Sequence, residues 1–323
     1  MIFEEQIARK PDHYPWTQQF IDAIWKGFWT PDEFNFRSDY SQFKTDLTQE
    51  EQEVIVRTLS AIGQIEVAVK SFWANLGDHL PHPSLKDLGY AMANSEVIHN
   101  KAYEKLLDKL QLNHVFEENL NEEVIRGRVN YLRKYLEKVY EDDRKQYIYA
   151  IILFTLFVEN VSLFSQFYIV MHFNRNKAVL KDCAQQVQYT RNEEQLHAQV
   201  GIKIINTIRE EYPELFDAEL EARIQEEIVA SIESESKVID WIMDDYAVDG
   251  LDADILKEFI KNRMKESMER IGFDHSAIEV DETLLDKTYW FDEALLGATM
   301  TDFFQKRPVE YSKGDGIDPN DLF

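Results

Sequence analysis

The chain has 323 residues, a formal net charge of -25, 44% hydrophobic residues and 13% Phe, Trp and Tyr. An acid excess on that scale argues against binding to a phosphate backbone, which needs cationic side chains to release counterions; it suits basic protein patches or metal cations as partners. Only 11 Gly and 8 Pro point to long helices rather than a turn-rich β protein. Cys183 is the single cysteine, so no intramolecular disulfide forms and a reducing cytoplasm is the expected setting. The first residues, MIFEEQIARKPDHYPW, are mixed and acidic, unlike a signal peptide.

In chain order, residues 14–28 read as a short aromatic-rich amphipathic helix stopped near Thr30-Pro31. Thr48-Gln-Glu-Glu51 is a capping-box pattern opening a long helix to about Leu76, and two prolines between His79 and Pro83 make a turn. Further helices are expected over 84–112, 118–140, 142–173, 177–211, 217–245, 251–269 and 290–305. Between Gln146 and Asn174 Glu159 is the one acidic residue in a run long enough to span a membrane. Polar residues such as Thr155, Asn160 and Gln166 interrupt the run, and no second span exists, so it reads as the buried centre of a large bundle, with no membrane role. No sustained alternation, internal repeat or glycine-rich phosphate loop is present. The expectation is an all-α domain over residues 1–305, followed by a polar, proline- and glycine-bearing tail over 306–323 that is expected to be mobile.

Two Glu-x-x-His units, Glu96-Val-Ile-His99 and Glu194-Gln-Leu-His197, each aim a carboxylate and an imidazole from one helix face. Such units arise by chance, as surface neighbours, about once in a chain of ordinary composition, so they acquire weight only from their context. Glu159 sits in the apolar run, where an unpaired carboxylate is costly. Glu66 lies in the similarly apolar stretch Leu59 to Val69. Four helices thus carry Glu66, Glu96 with His99, Glu159, and Glu194 with His197. This scheme resembles that of ferritin-like di-iron and di-manganese carboxylate proteins. Four carboxylates neutralise two divalent ions, and oxygen-plus-imidazole donors suit iron or manganese. A metal-free helical protein with unrelated buried polar pairs is the plainer alternative.

Tyr103 follows His99 by one turn, which places its phenol beside the same face; a core tyrosine is the commoner reason for such a residue. Trp29, in Lys26-Gly-Phe-Trp-Thr-Pro-Asp-Glu33, precedes the bundle and by itself reads as ordinary packing. Glu193, just before Glu194, is placed to accept a hydrogen bond from a metal-bound histidine.

The ordered set Phe28-Trp29-x-Pro31-x-Glu33, the Glu66 helix, Ser95-Glu-x-Ile-His99 with Tyr103, Phe157-x-Glu-Asn160 and Glu193-Glu-x-x-His197 resembles the small subunit of class I ribonucleotide reductases over almost the whole chain. The resemblance implies a ferritin-like bundle, a homodimer, and Glu66, Glu96, His99, Glu159, Glu194 and His197 as ligands of two metal ions. It places Tyr103 where the family commonly holds a tyrosyl radical, and Trp29 and Glu193 on the radical-transfer path. Tyr311 becomes a relay tyrosine, and the terminal Asn320-Asp-Leu-Phe323 a peptide that docks on the large subunit. One cysteine cannot supply the thiyl radical and redox pair that ribonucleotide reduction needs, so the active site is expected on that partner.

Two departures bear on the metal. Many relatives have Asp where this chain has Glu66, and Lys70 follows Glu66 by one turn. An ammonium there makes oxidation of Tyr103 harder, unless Lys70 simply snorkels to solvent. Glu66-Val-Ala-Val-Lys70 resembles a subclass that uses two manganese ions, activated by superoxide, in place of a tyrosyl radical. Manganese is therefore favoured, with iron the alternative. A dimetal oxidase or hydroxylase acting on its own substrate shares the ligands without needing Trp29 or the tail; an iron-storage protein shares them too, but is usually shorter.

Overall fold

Apolar residues recurring three and four apart build helix after helix, and no strand forms among the described residues; an isolated bridge between Val248 and Leu251 closes a turn. The structure, a computed structural model, describes residues 1–293 apart from 67–69, and the side chains of 66–70 also lie outside the description. One compact unit comprises Met1–Thr288. The second is Tyr289–Phe323, of which residues 289–293 are described, as helix. Tyr311, the terminal peptide and the boundary expected at 305/306 fall outside the described residues.

Helix α1 spans Thr17–Lys26, followed by a 3-10 turn at Pro31–Glu33, α2 at Arg37–Thr45 and α3 at Gln49–Glu66. The Thr48 capping box sets the start of α3: Thr48 Oγ1 accepts from the Glu51 amide at 3.2 Å, and Glu51 Oε2 accepts from the Thr48 amide at 3.0 Å. Where one helix to Leu76 was expected, helix is described to Glu66 and again over α4 at Lys70–Ala74, with a turn at Asn75 before the short α5 at Leu76–His79. Helix α6 covers Pro83–Leu110, α7 Asn113–Asn119 and α8 Glu123–Leu132, the last continued by a 3-10 turn at Arg133–Leu136. Helix α2 has no counterpart in the sequence reading, because its anchor is tertiary. Asp39, fully buried, accepts from the backbone amide of Cys183 at 2.7 Å, at the start of another helix.

The apolar run divides into α9 at Asp143–Ile152, a π-helical segment at Leu153–Ser162 and α10 at Phe164–Lys177. Together Asp143–Lys177 is long and apolar enough to cross a membrane, yet its apolar window is entirely buried inside the bundle. Helix α11 at Lys181–Glu211 packs on the π segment, and α12 at Ala218–Met243, α13 at Ala253–Ile271 and α14 at Glu282–Leu285 complete the unit. Gly201 sets the approach of α11: a Cβ there would lie 2.2 Å from Thr155 Oγ1.

A buried guanidinium ties five of these elements. Arg128 on α8 donates to both oxygens of Glu235 on α12 at 3.0 Å, to the Ala61 carbonyl of α3 at 2.9 Å, to Gln166 Oε1 of α10 at 2.9 Å, and to the Ser162 carbonyl. It thereby braces α3 and the end of the π segment, the two elements on which Glu66 and Glu159 stand.

Candidate metal centre

Three elements bring together the carboxylates and imidazoles singled out in the sequence. Glu96, His99 and Tyr103 occupy successive turns of α6, and all are buried. Glu159 lies in the π segment, a distortion that recurs at functional sites because it re-aims a side chain without ending the helix. Glu194 and His197 share a face of α11. Ligand atoms of Glu96, Glu159, Glu194 and His197 all lie within 4.8 Å of one another. His99 joins them through Nδ1, 3.1 Å from Glu194 Oε1 and 3.4 Å from Glu96 Oε2. Glu66 is the last described residue of α3; its side chain and that of Lys70 are outside the described set.

These groups crowd together without satisfying one another. Both oxygens of Glu96 and of Glu194, Oε2 of Glu159 and both nitrogens of His197 are buried with no directed hydrogen bond. His197 Nδ1 nevertheless sits 2.9 Å from Glu96 Oε1, 3.4 Å from Glu194 Oε2 and 3.6 Å from Glu159 Oε1. A set of lone pairs converging on one buried point is what divalent cations require. The residues therefore fit a dinuclear centre.

Electrostatics agree. Burial works against charge on both imidazoles, but the carboxylates outweigh it and hold His99 and His197 well above the usual histidine range. Burial, reinforced by the charges of Glu194 and Glu96 and opposed by His197, pushes Glu159 well above the usual carboxylate range. For Glu96 burial is overcome by His197 and His99, and the carboxyl falls to about 2. The cluster thus sets imidazoles raised by their carboxylate neighbours against a buried Glu159 carboxyl whose ionisation the neighbouring carboxylates oppose.

A hydrogen-bonded line leaves the cluster on the His99 side. His99 Nε2 lies 2.7 Å from Glu193 Oε2, and the same oxygen accepts from Trp29 Nε1 at 2.8 Å. The Trp29 and His99 rings lie nearly parallel, 6.3 Å apart. Trp29 is held just ahead of the Pro31–Glu33 turn, where the Thr30 amide donates to Glu33 Oε1 at 3.1 Å.

Two supports of the cluster were not expected from the sequence. Trp73 on α4 donates from Nε1 to Glu159 Oε1 at 2.7 Å and packs on His197; its seven-residue spacing from Glu66 was the available signal. Arg263 on α13 donates to the Asn160 carbonyl at 2.7 Å and to Gln195 Oε1 at 3.0 Å. It locks together the residues that follow Glu159 and Glu194, a pairing with no sequence-local trace.

The helical bundle and this buried carboxylate–histidine cluster define a dimetal-carboxylate protein of ferritin-like fold. The family model described as ribonucleotide reductase, small chain, matches residues 6–276, and the chain belongs to that family. It is an oxidoreductase subunit; proteins of this family hold a dinuclear metal centre, pair with a large subunit and are typically dimeric. The ribonucleoside-diphosphate reductase subunit beta of Chlamydia pneumoniae is 24% identical over 325 residues, 95% of this chain and 90% of that one. The subunit beta of Halalkalibacterium halodurans is 21% identical over 304 residues, covering 93% and 87%. Among solved structures, the ribonucleotide reductase R2 subunit from Clostridium botulinum superposes with a TM-score of 0.76 at 18% identity, covering 87% of this chain and 88% of that one. A variant of an R2-like ligand-binding oxidase with a reconstituted Mn/Fe cofactor gives 0.68 at 17% identity, covering 83% and 96%. At such identities the structural likeness speaks for the fold alone.

Proposed function

We propose that this chain is the radical-generating subunit of a class I ribonucleotide reductase, holding two metal ions on Glu66, Glu96, His99, Glu159, Glu194 and His197. Held there, the metals would supply an oxidising equivalent, drawn from an oxygen species, for forming a cysteine radical in the large subunit, where ribonucleotides are reduced. The observation that carries this reading is the continuous line Trp29–Glu193–His99, with contacts of 2.8 and 2.7 Å. Glu193 holds the outer nitrogen of a ligand histidine and the indole N–H on one carboxylate oxygen, so proton position and indole oxidation are linked through a single atom. A protein that merely stores metal has no use for such a line. The protein's own Cys183 is buried, its thiol pushed well up by burial, and as the single cysteine it cannot form a redox pair.

In this reading Tyr311 relays the equivalent between Trp29 and the partner, and the last residues dock on the large subunit. Large apolar side chains exposed on the packed pair α1 and α6, Trp25, Tyr90 and Val97 among them, support a homodimer. Manganese is favoured over iron because Lys70, four residues after Glu66 in the sequence, would add positive charge that disfavours oxidation of Tyr103. The cytoplasm is the proposed location.

Metal analysis and low-temperature electron paramagnetic resonance test the centre, on protein grown with both iron and manganese. Two manganese per chain, a multiline signal after superoxide and no tyrosyl doublet are expected. Two irons with a tyrosyl doublet would keep the family role but shift the mechanism to Tyr103; protein unable to take up either metal would end the proposal.

A dimetal oxidase acting on its own substrate is the second reading. It is favoured by a cleft of 610 Å³ lined by Phe3, Phe72, His79, Tyr135 and Tyr147 among others. Phe72 on the cleft wall packs edge-on against Trp73, whose indole donates to Glu159, which brings this wall near the candidate metal ligands. Removal of the chain from Tyr311 onward separates the two. Loss of ribonucleotide reduction with unchanged metal content is expected; an oxidase activity indifferent to the truncation would favour the second reading.

A further inference from the structure

Residues 1–14 form a strap held at the start of α6 and the end of α11, and a buried imidazole clasps it. His82, only 2% exposed, immediately precedes α6. Its Nδ1 lies 2.8 Å from Gln6 Oε1, and its Nε2 lies 3.1 Å from the Met1 carbonyl oxygen. The Gln6 amide is fixed in this orientation, because its nitrogen donates to the Ala8 and Pro11 carbonyls at 2.6 and 2.7 Å. Both ring nitrogens of His82 therefore face acceptors. A neutral imidazole carries one N–H and serves one of them; an imidazolium serves both. The strap also seats Ile2, fully buried, whose amide donates to Glu211 at the end of α11. Next to it Phe3 packs against Tyr212 at 5.3 Å and Tyr147 at 6.4 Å between centroids, and forms one wall of the aromatic cleft. Tyr147 lines the same cleft, with its hydroxyl buried and without a hydrogen-bond partner.

We propose that this strap is a proton-controlled lid on the aromatic cleft, closed while His82 is an imidazolium and loosened when it is neutral. The inference concerns the cleft alone and depends on neither reading of the metal centre. Loss of the proton turns one ring nitrogen into a lone pair facing an oxygen, so one of the two bonds of the clasp gives way to repulsion. The charged groups around the clasp are otherwise matched. The Met1 ammonium pairs with Glu4 at 3.2 Å, and Arg9 with Asp87 of α6 at 2.6 Å. Tyr14, edge-on to His82 at 4.8 Å, donates to Glu211 at 2.9 Å and is pushed up by burial, so it stays a neutral phenol. His13, edge-on at 6.3 Å, is the other imidazole beside the clasp. Opening the strap takes Phe3 off the cleft wall and leaves the Tyr147 O–H as a donor for an entering molecule.

Hydrogen exchange at the Ile2 and Gln6 amides, which donate to Glu211 and to the Pro81 carbonyl, reports the state of the strap. It is measured on the full-length, metal-loaded protein at about pH 5.5 and about pH 8, the span in which an imidazole titrates. After correction for intrinsic exchange, protection in the wild-type protein should fall about three- to tenfold at the higher pH, the worth of one hydrogen bond. His82→Gln should level the two values, since its amide donates one bond at every pH. Gln6→Met, at a partly exposed position where folding is not at stake, should level them too by removing one acceptor. His13→Gln should keep the wild-type difference. Fluorescence of anilinonaphthalene sulfonate, as a probe of the uncovered cleft, should rise with pH in the wild-type protein and not in His82→Gln. Equal protection at both pH values, a difference that survives both clasp variants, or a loosened strap with unchanged dye uptake overturns the proposal.

Discussion

Glu159→Ala is expected to abolish stable metal loading while leaving the bundle folded. Burial pushes the Glu159 carboxyl well up, so its removal relieves a buried acidic group crowded against Glu96 and Glu194. The loss confined to the fold is the Trp73 hydrogen bond of 2.7 Å, worth about 1 kcal/mol and somewhat more if the indole N–H is left unsatisfied. The loss to metal is far larger. Changing an outer partner of a ligand typically costs roughly 10–100-fold in affinity, and here a ligand itself disappears from a set whose charge must match two divalent ions. Metal per chain after gel filtration, together with the thermal midpoint with and without added metal, reads both effects. Wild-type protein should gain stability with free metal in proportion to site occupancy, and the variant should gain almost none. Two metals per chain retained in Glu159→Ala would refute the assigned site. Glu159→Gln, whose amide oxygen still accepts from Trp73, controls for the packing.

The largest expected effect on stability comes from Arg128→Ala. Its guanidinium makes a bidentate contact with Glu235, and both side chains are fully buried. Burial already pushes the Glu235 carboxyl up, with Arg128 pulling the other way. Without Arg128 the carboxylate stands alone, and three further acceptors, at Ala61, Ser162 and Gln166, lose their donor. Breaking a buried pair from one side costs about 3–5 kcal/mol, a large share of a typical domain's stability. The pH dependence has a definite sign. Glu235 with a raised folded pKa is neutral at no cost below the unfolded carboxyl value of about 4.3, so the charge penalty is absent there. It grows as pH rises through that value and levels off above the folded one. Chemical denaturation at acidic and neutral pH measures the difference. Arg128→Met combined with Glu235→Met should recover much of the loss, because apolar replacement of both partners removes the uncompensated charge. A loss below about 1 kcal/mol in the single variant at neutral pH would show the network to be dispensable.

What could be read from the chain before folding follows from periodicity and cost. Glu96 with His99, and Glu194 with His197, were legible because a helix places residues three apart on one side whatever surrounds it. Glu159 was legible because a carboxylate in an apolar run requires a partner. The Thr48 capping box was legible because both of its hydrogen bonds are local. The division of the run 142–173 into α9, the π segment and α10 was not, since the same side chains suit either helical geometry and no local pattern marks the change.

By itself, then, the sequence determined the helical class, the acidic and apolar faces, and the identities of the groups able to hold a metal, because each depends on residues near one another along the chain. The tertiary structure alone decided which of those groups meet. It brought Trp73 to Glu159, Arg263 to the residues after Glu159 and Glu194, Arg128 to Glu235, and Trp29 to Glu193 across a separation of 164 residues. These contacts depend on how whole helices cross, and helix crossing is set by the summed packing of a buried core rather than by any local pattern.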